Sequence, residues 1–158
     1  MKVIKLQLED FECLNFSVVG LISNYIDYKL VYALNKELDF AFFNRIENLD
    51  ILVNKNKFSY ITYETYDCQI DASIFLLKNK PDNILNNVLT SNNKENFQHL
   101  FSQSQLLVPE LKNYDYILKI DEAFKLDLIL DFLKYSNKIQ FHQRIQVNKT
   151  KTIRNLIF

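Results

Sequence analysis

The chain has 158 residues, 48% of them hydrophobic and 24% charged, and its 19 basic and 19 acidic residues give a formal net charge of zero. That balance fits one globular soluble domain, 1–158, able to bury a core without disulfides or a metal, and it argues against nucleic acid, whose phosphates call for a basic field. Gly20 is the only glycine, so a phosphate-cradling P-loop, a glycine-rich dinucleotide fingerprint and the G-x-S-x-G elbow of serine hydrolases are all excluded.

The first nine residues alternate charged with apolar side chains, which predicts a short strand over 2–8 and no signal peptide. The apolar run 18–22 is too short to cross a bilayer, so a cytoplasmic location without membrane contact is expected. A buried strand follows over 16–22. Asn24 then stands as a helix N-cap, ahead of Ile26, Leu30, Ala33, Leu34 and Leu38 at helical spacing, with Tyr25, Tyr28 and Tyr32 beside that stripe. The pattern predicts a strand over 40–46, a short continuation over 49–53 and a polar turn at Lys55, Asn56 and Lys57. Aromatic and β-branched residues over 58–66 and again over 70–77 read as a long hairpin turning near Asp67.

Composition changes at Asn79. The stretch 79–96 is rich in Asn and holds Pro81, and Phe97, Leu100 and Phe101 have the spacing of a short amphipathic helix, so 79–104 reads as a mobile or partly helical connection. Pro109 suits a first helical position, with Glu110 at its positive end. A strand follows in which Tyr116, Leu118 and Ile120 share one face and Asp115, Ile117 and Lys119 the other. Asp121 and Glu122 open a second helix with Phe124, Leu128, Ile129, Phe132 and Leu133 on its core face. Lys134 and Lys138 lie near its negative end, and Ser136 and Asn137 close it. The last strand points Ile139, Phe141, Ile145 and Val147 inward, with Gln140, His142, Arg144 and Gln146 on a wet face. The fold class is α+β: a two-layer sandwich, its sheet largely antiparallel with two main helices on one face. One version is ferredoxin-like with extra strands.

The segment Val108-Pro109-Glu110, three residues, then Tyr114-Asp115-Tyr116 resembles the motif of the bacterial IPExxxVDY family, a family of unknown function. Pro109, Glu110, Asp115 and Tyr116 match outright, whereas Val108 and Tyr114 replace Ile and Val. Gly20-Leu21-Ile22-Ser23, Asp27-Tyr28-Lys29-Leu30 and the final Asn155-Leu156-Ile157-Phe158 extend the resemblance over most of the chain. It supplies no catalytic residues. Genes of that family lie beside fatty-acid synthesis genes, so the resemblance makes an acyl carrier protein an acidic partner worth testing.

Two sets of residues bear on function. Glu110 and Asp115 are a carboxylate pair that an acid-base enzyme would use, with Tyr116 in its pocket, but no nucleophile, His or Lys at fixed spacing accompanies them. A helix start and a strand opening account for them better, and no catalytic residue is assigned. From Phe132 onward there is no Asp or Glu, while Lys134, Lys138, Arg144, Lys149, Lys151 and Arg154 are basic, a surface suited to an acidic protein. A non-catalytic binding or adaptor domain is the leading expectation, with a small enzyme using Glu110 and Asp115 as the alternative. Cys13, Cys68, His99 and His142 are unclustered, so no metal or cofactor is expected, and the two cysteines read as small apolar fillers. Tyr60, Tyr63 and Tyr66 would offer stacking platforms only if exposed. A homodimer through edge strands is a further expectation.

Overall fold

The computed structural model describes residues 14–53, 56–81 and 105–158. The strand expected over 2–8, the helix around Phe97 to Phe101, Cys13, His99 and most of the connection after Pro81 lie outside the described residues. In chain order the elements are β1 (Phe16–Ile22), α1 (Asp27–Leu38), β2 (Phe43–Asn44), β3 (Leu49–Val53), β4 (Asn56–Tyr60), β5 (Thr62–Asp67), β6 (Ala72–Lys78), β7 (Tyr116–Asp121), α2 (Leu126–Tyr135) and β8 (Phe141–Ile145). Six strands form one sheet in the order β2-β5-β6-β7-β1-β8, and β3 and β4 make a separate hairpin. Every pairing among the described residues is antiparallel. The fold is therefore α+β, as the sequence predicts.

Its centre is a split β-α-β arrangement. Because β1 and β6 each pair antiparallel with β7, they run parallel to one another on either side of it, joined through α1. By the same reasoning β7 and β8 flank β1 and are joined through α2. Elements β1, α1, β6, β7, α2 and β8 thus trace a ferredoxin-like core, to which β5 and the two-residue β2 are added on the β6 side.

Both faces of the sheet are covered, which explains why β1 reads as an almost continuous apolar run. Val19 and Leu21 turn toward the helices and pack with Leu30 and Leu34 of α1 and Ile129 and Leu133 of α2. Val18, with Ile117 and Leu77 from the neighbouring strands, faces the other way. There it meets Phe58 and Tyr60 of β4, Leu107 and Val108, and Ile153 and Leu156 of the C-terminal segment. The period-two alternation in β7 works as expected: Tyr116, Leu118 and Ile120 join the helical side and Ile117 the other. Gly20 is required by the second face, since a Cβ there would stand 2.6 Å from Cδ1 of Tyr114.

Several boundaries differ from the pattern. Asn24 does not cap α1; the preceding residue is Ile26 in extended geometry, and the Ser23 hydroxyl accepts the Tyr25 N–H at 3.1 Å instead. The strand expected over 40–46 shrinks to β2, because the Asn35 side chain takes both backbone groups of Phe42, at 2.8 and 3.0 Å. The long hairpin divides at Ile61: β4 pairs back to β3 while β5 turns to β6. Cys68 lies exposed in the β5–β6 turn, where Asp71 adopts φ 51°, and is not an apolar filler. Strand β7 continues through Asp121, whose Oδ1 accepts the Ala123 N–H at 3.0 Å, so α2 begins only at Leu126. That start leaves Leu128 exposed. Among the described residues strand β8 is a sheet edge, and Phe141 is half exposed there although it shares the face of Ile145.

Candidate functional site

The stretch from Leu107 to Tyr116 is built around Asn79, a fully buried side chain. Its Nδ2 donates to the carbonyls of Leu111 at 2.8 Å and Tyr114 at 3.2 Å, and its Oδ1 accepts the Val108 N–H at 3.0 Å. Its own backbone N–H reaches the Asp115 carbonyl, and its carbonyl accepts the Leu107 N–H, both at 2.9 Å. A planar amide is the side chain with donors and acceptor together, so one Asn holds both sides of the loop. Pro109 then opens a short 3₁₀ turn, Pro109–Leu111, as its fixed φ and missing N–H favour.

The two acidic residues of this stretch serve different parts of the chain. Glu110 reaches the C-terminal 3₁₀ helix Lys151–Leu156: its Oε1 accepts the Thr152 N–H at 3.2 Å, and the Thr152 hydroxyl donates to its Oε2. Partial burial would raise its pKa, but the Thr152 hydroxyl and the N–H groups of Glu110, Thr152 and Lys151 outweigh that and hold the carboxyl below its ordinary value. Asp115 accepts the Ser23 N–H at 3.3 Å, and its own N–H donates to the Leu21 carbonyl at 2.9 Å, fastening the opening of β7 to the end of β1. The Tyr116 hydroxyl donates to the Tyr25 carbonyl at 2.8 Å. Tyr114 lies on Gly20, stacks on Phe141 with centroids 6.4 Å apart and donates to Gln143 at 2.5 Å. Glu110, Asp115 and Tyr116 thus each join two elements of the fold, and Pro109 sets the turn that carries Glu110.

The basic residues fall into two groups. Arg144 and Lys149 line a groove of about 600 Å³ with Phe16, Ser17 and Glu122. Lys151 and Arg154 line an adjoining groove of about 580 Å³, and the two share Val147 and Asn148 as a common wall. Arg144, Lys149, Lys151 and Arg154 are all exposed. Lys134 and Lys138 stand elsewhere, at the C-terminal end of α2, where Lys138 Nζ lies 5.2 Å from the Tyr25 ring. They join β8 at Phe141, the end paired with Ile22, whereas Lys149 follows the end paired with Val18. His142 is half-buried opposite Leu21. Of the three tyrosines, Tyr60 is buried, donates to the Gln105 carbonyl at 2.8 Å and has its pKa pushed up to about 12 by burial, so it offers no platform. Tyr66 is half exposed and bonded to Asp71 at 2.6 Å.

A third feature was hidden in the sequence. Lys119 projects on the non-helical face of β7, its Nζ 4.2 Å from the centroid of Phe158, 5.0 Å from Phe16 and 5.1 Å from Phe75. Arg45 also lies over Phe75 and Phe158, at 5.7 and 5.6 Å, and pairs with Glu64 at 3.4 Å. Burial lowers the Lys119 pKa despite the attraction of Asp121. Alternation alone puts a lysine on this face, but nothing in the sequence reveals rings converging on it from residues 16, 75 and 158.

Among the described residues no group of three or more His, Cys, Asp or Glu is placed to hold a metal ion, and no helix is long and apolar enough to cross a membrane. Compared with protein-family models, curated proteins and solved structures, the chain matches none.

Proposed function

We propose that the chain is a non-catalytic cytoplasmic adaptor domain that docks an acidic protein on the end bearing Arg144, Lys149, Lys151 and Arg154. The observation that carries this reading is the pair of adjoining grooves, each flanked by two exposed cations, with Glu122 the one acidic residue in their lining among the described residues. Facing charges of opposite sign accelerate encounter and fix orientation. Glu110 and Asp115 are committed to Thr152 and Ser23, which supports an architectural role for them over acid-base chemistry. Membership of the bacterial IPExxxVDY family belongs to the same proposal, supported by the turn that Pro109 opens and the joining roles of Glu110, Asp115 and Tyr116.

Purified acyl carrier protein, the acidic partner that the family resemblance suggests, is the first probe. Titrated by calorimetry at low salt, it is expected to bind the intact chain and to lose at least about tenfold in affinity to Lys149→Glu with Arg154→Glu, a change of about 1.4 kcal/mol. Lys134→Glu with Lys138→Glu is expected to leave affinity unchanged. Equal losses in both pairs would reject the grooves as the docking surface, and no binding at low salt would reject this partner.

A further inference from the structure

The two basic grooves have a source of negative charge close by in the chain itself. Leu14, the first described residue, packs on the core of the second face and lines the groove of Lys151 and Arg154. Phe16 and Ser17 line the groove of Arg144 and Lys149, so the chain enters the fold beside both. Immediately before Leu14 and Cys13 stand Glu9, Asp10, Phe11 and Glu12, three carboxylates around one aromatic ring. At no more than about 3.6 Å per residue, the Cα of Glu12 lies within about 7 Å of that of Leu14, and the Cα of Glu9 within about 18 Å, whatever path the chain takes. Glu12 therefore falls inside a Debye length of about 8–10 Å from Leu14, and so short a tether gives a local concentration of millimolar order. The charges match in sign and closely in number. Arg144, Lys149, Lys151 and Arg154 are exposed, and among the described residues none of them is in an ion pair. Arg144 reaches the neutral Ser17 hydroxyl at 3.4 Å. Leu14 and Val147, both partly buried, give the groove of Lys151 and Arg154 an apolar wall against which a ring such as that of Phe11 can lie.

We propose that the acidic stretch 9–12 is the chain's own occupant of the two grooves, an internal competitor that an acidic partner must displace. The competition rests on the grooves being the docking surface, as proposed above; the contact between the stretch and the grooves does not. A partner's apparent affinity is reduced by the fraction of chains whose grooves are open, so a tethered competitor selects against weakly charged partners.

Two measurements on the full chain test this. Carbodiimide coupling joins a carboxylate to an amine it touches, with no spacer, and mass spectrometry locates the link. In the parent protein at low salt, Glu9, Asp10 or Glu12 is expected to be joined to Lys149 or Lys151. Links to Lys134, which is exposed at the C-terminal end of α2, are expected to be at least about tenfold fewer. No links from 9–12 to the groove lysines, or links spread evenly over Lys134, Lys149 and Lys151, would overturn the proposal. Fluorescence anisotropy with a labelled octaglutamate peptide then reads the competition. Glu9→Gln with Asp10→Asn and Glu12→Gln is expected to tighten peptide binding about fivefold or more, and adding Lys149→Glu with Arg154→Glu to abolish it. Glu12→Gln serves alone, with a smaller gain in the same direction, if the triple variant fails to fold. Equal affinity in the parent and neutralised chains would overturn the competitor. Links to the groove lysines without peptide binding by either chain would uphold the contact and reject the grooves as a docking surface.

Discussion

Asn79 shows how one residue fixes a site that composition conceals. Its neighbours read as a polar connection, and the same amide polarity that places Asn in loops lets it take a fully buried position when every group is matched. The sequence could not show this, because the partners lie 29 to 35 residues away and nothing local specifies them. Asn79→Ala removes the acceptor of the Val108 N–H and the donor to the Tyr114 and Leu111 carbonyls, of which Leu111 keeps the Tyr114 N–H; at roughly 1–3 kcal/mol for each group left unpaired, a loss of about 3 kcal/mol is expected by urea denaturation. Asn79→Asp is no rescue. It keeps the acceptor for Val108 but turns an oxygen toward two carbonyls, and its unfolding midpoint is expected to fall comparably.

At the level of elements, what was legible depended on whether the signal was local. Strand β1 ends where its apolar run predicts, and β7 presents the faces that alternation assigns, because these strands are buried by residues within their own pattern. The 58–66 stretch misled, since β4 and β5 have the same aromatic and β-branched character and the break at Ile61 is decided by which partner each half meets. Both helix starts were placed too early: acidic and amide residues near a start also serve turns, as Asp121 does with Ala123. Glu110 belongs to the same class. It fits a first helical turn, but its main work is to cap the helix Lys151–Leu156 across 42 residues. Because its folded pKa lies below the ordinary 4.5, its contribution is present above that value and fades as pH falls through the folded pKa. Glu110→Gln is therefore expected to lower Tm near neutral pH, with the difference from the parent protein shrinking below about pH 4 in a series of thermal melts. A difference that stays constant down to acid pH would assign the loss to packing and not to the charge.

Over the whole molecule, the expected α+β sheet with two helices on one face is present, and the second face carries an apolar core of its own. That core explains why the basic end and the fold cannot be separated by cutting the chain. Lys149, Lys151 and Arg154 are exposed, but Ile153 is 2% exposed and Leu156 0%, packed with Val18, Leu77 and Ile117. Asn155 adds a hydrogen bond to the Leu107 carbonyl at 2.6 Å, and Thr152 donates its N–H to Glu110. Fully burying two such aliphatic side chains is worth roughly 3–6 kcal/mol, so a chain ending at Val147 is expected to melt about 10 °C or more below the parent protein. It should also bind a hydrophobic dye on the newly exposed sheet face. Loss of partner binding on such a truncation would then report the missing core as much as the missing charges. Paired substitutions at Lys149 and Arg154, which leave Ile153 and Leu156 in place, separate the two effects: they are expected to change affinity and its salt dependence while Tm stays within about 2 °C of the parent value. If the truncated chain kept its Tm instead, the C-terminal segment would be an appendage, and the second core would need only the β3–β4 hairpin and the stretch around Val108.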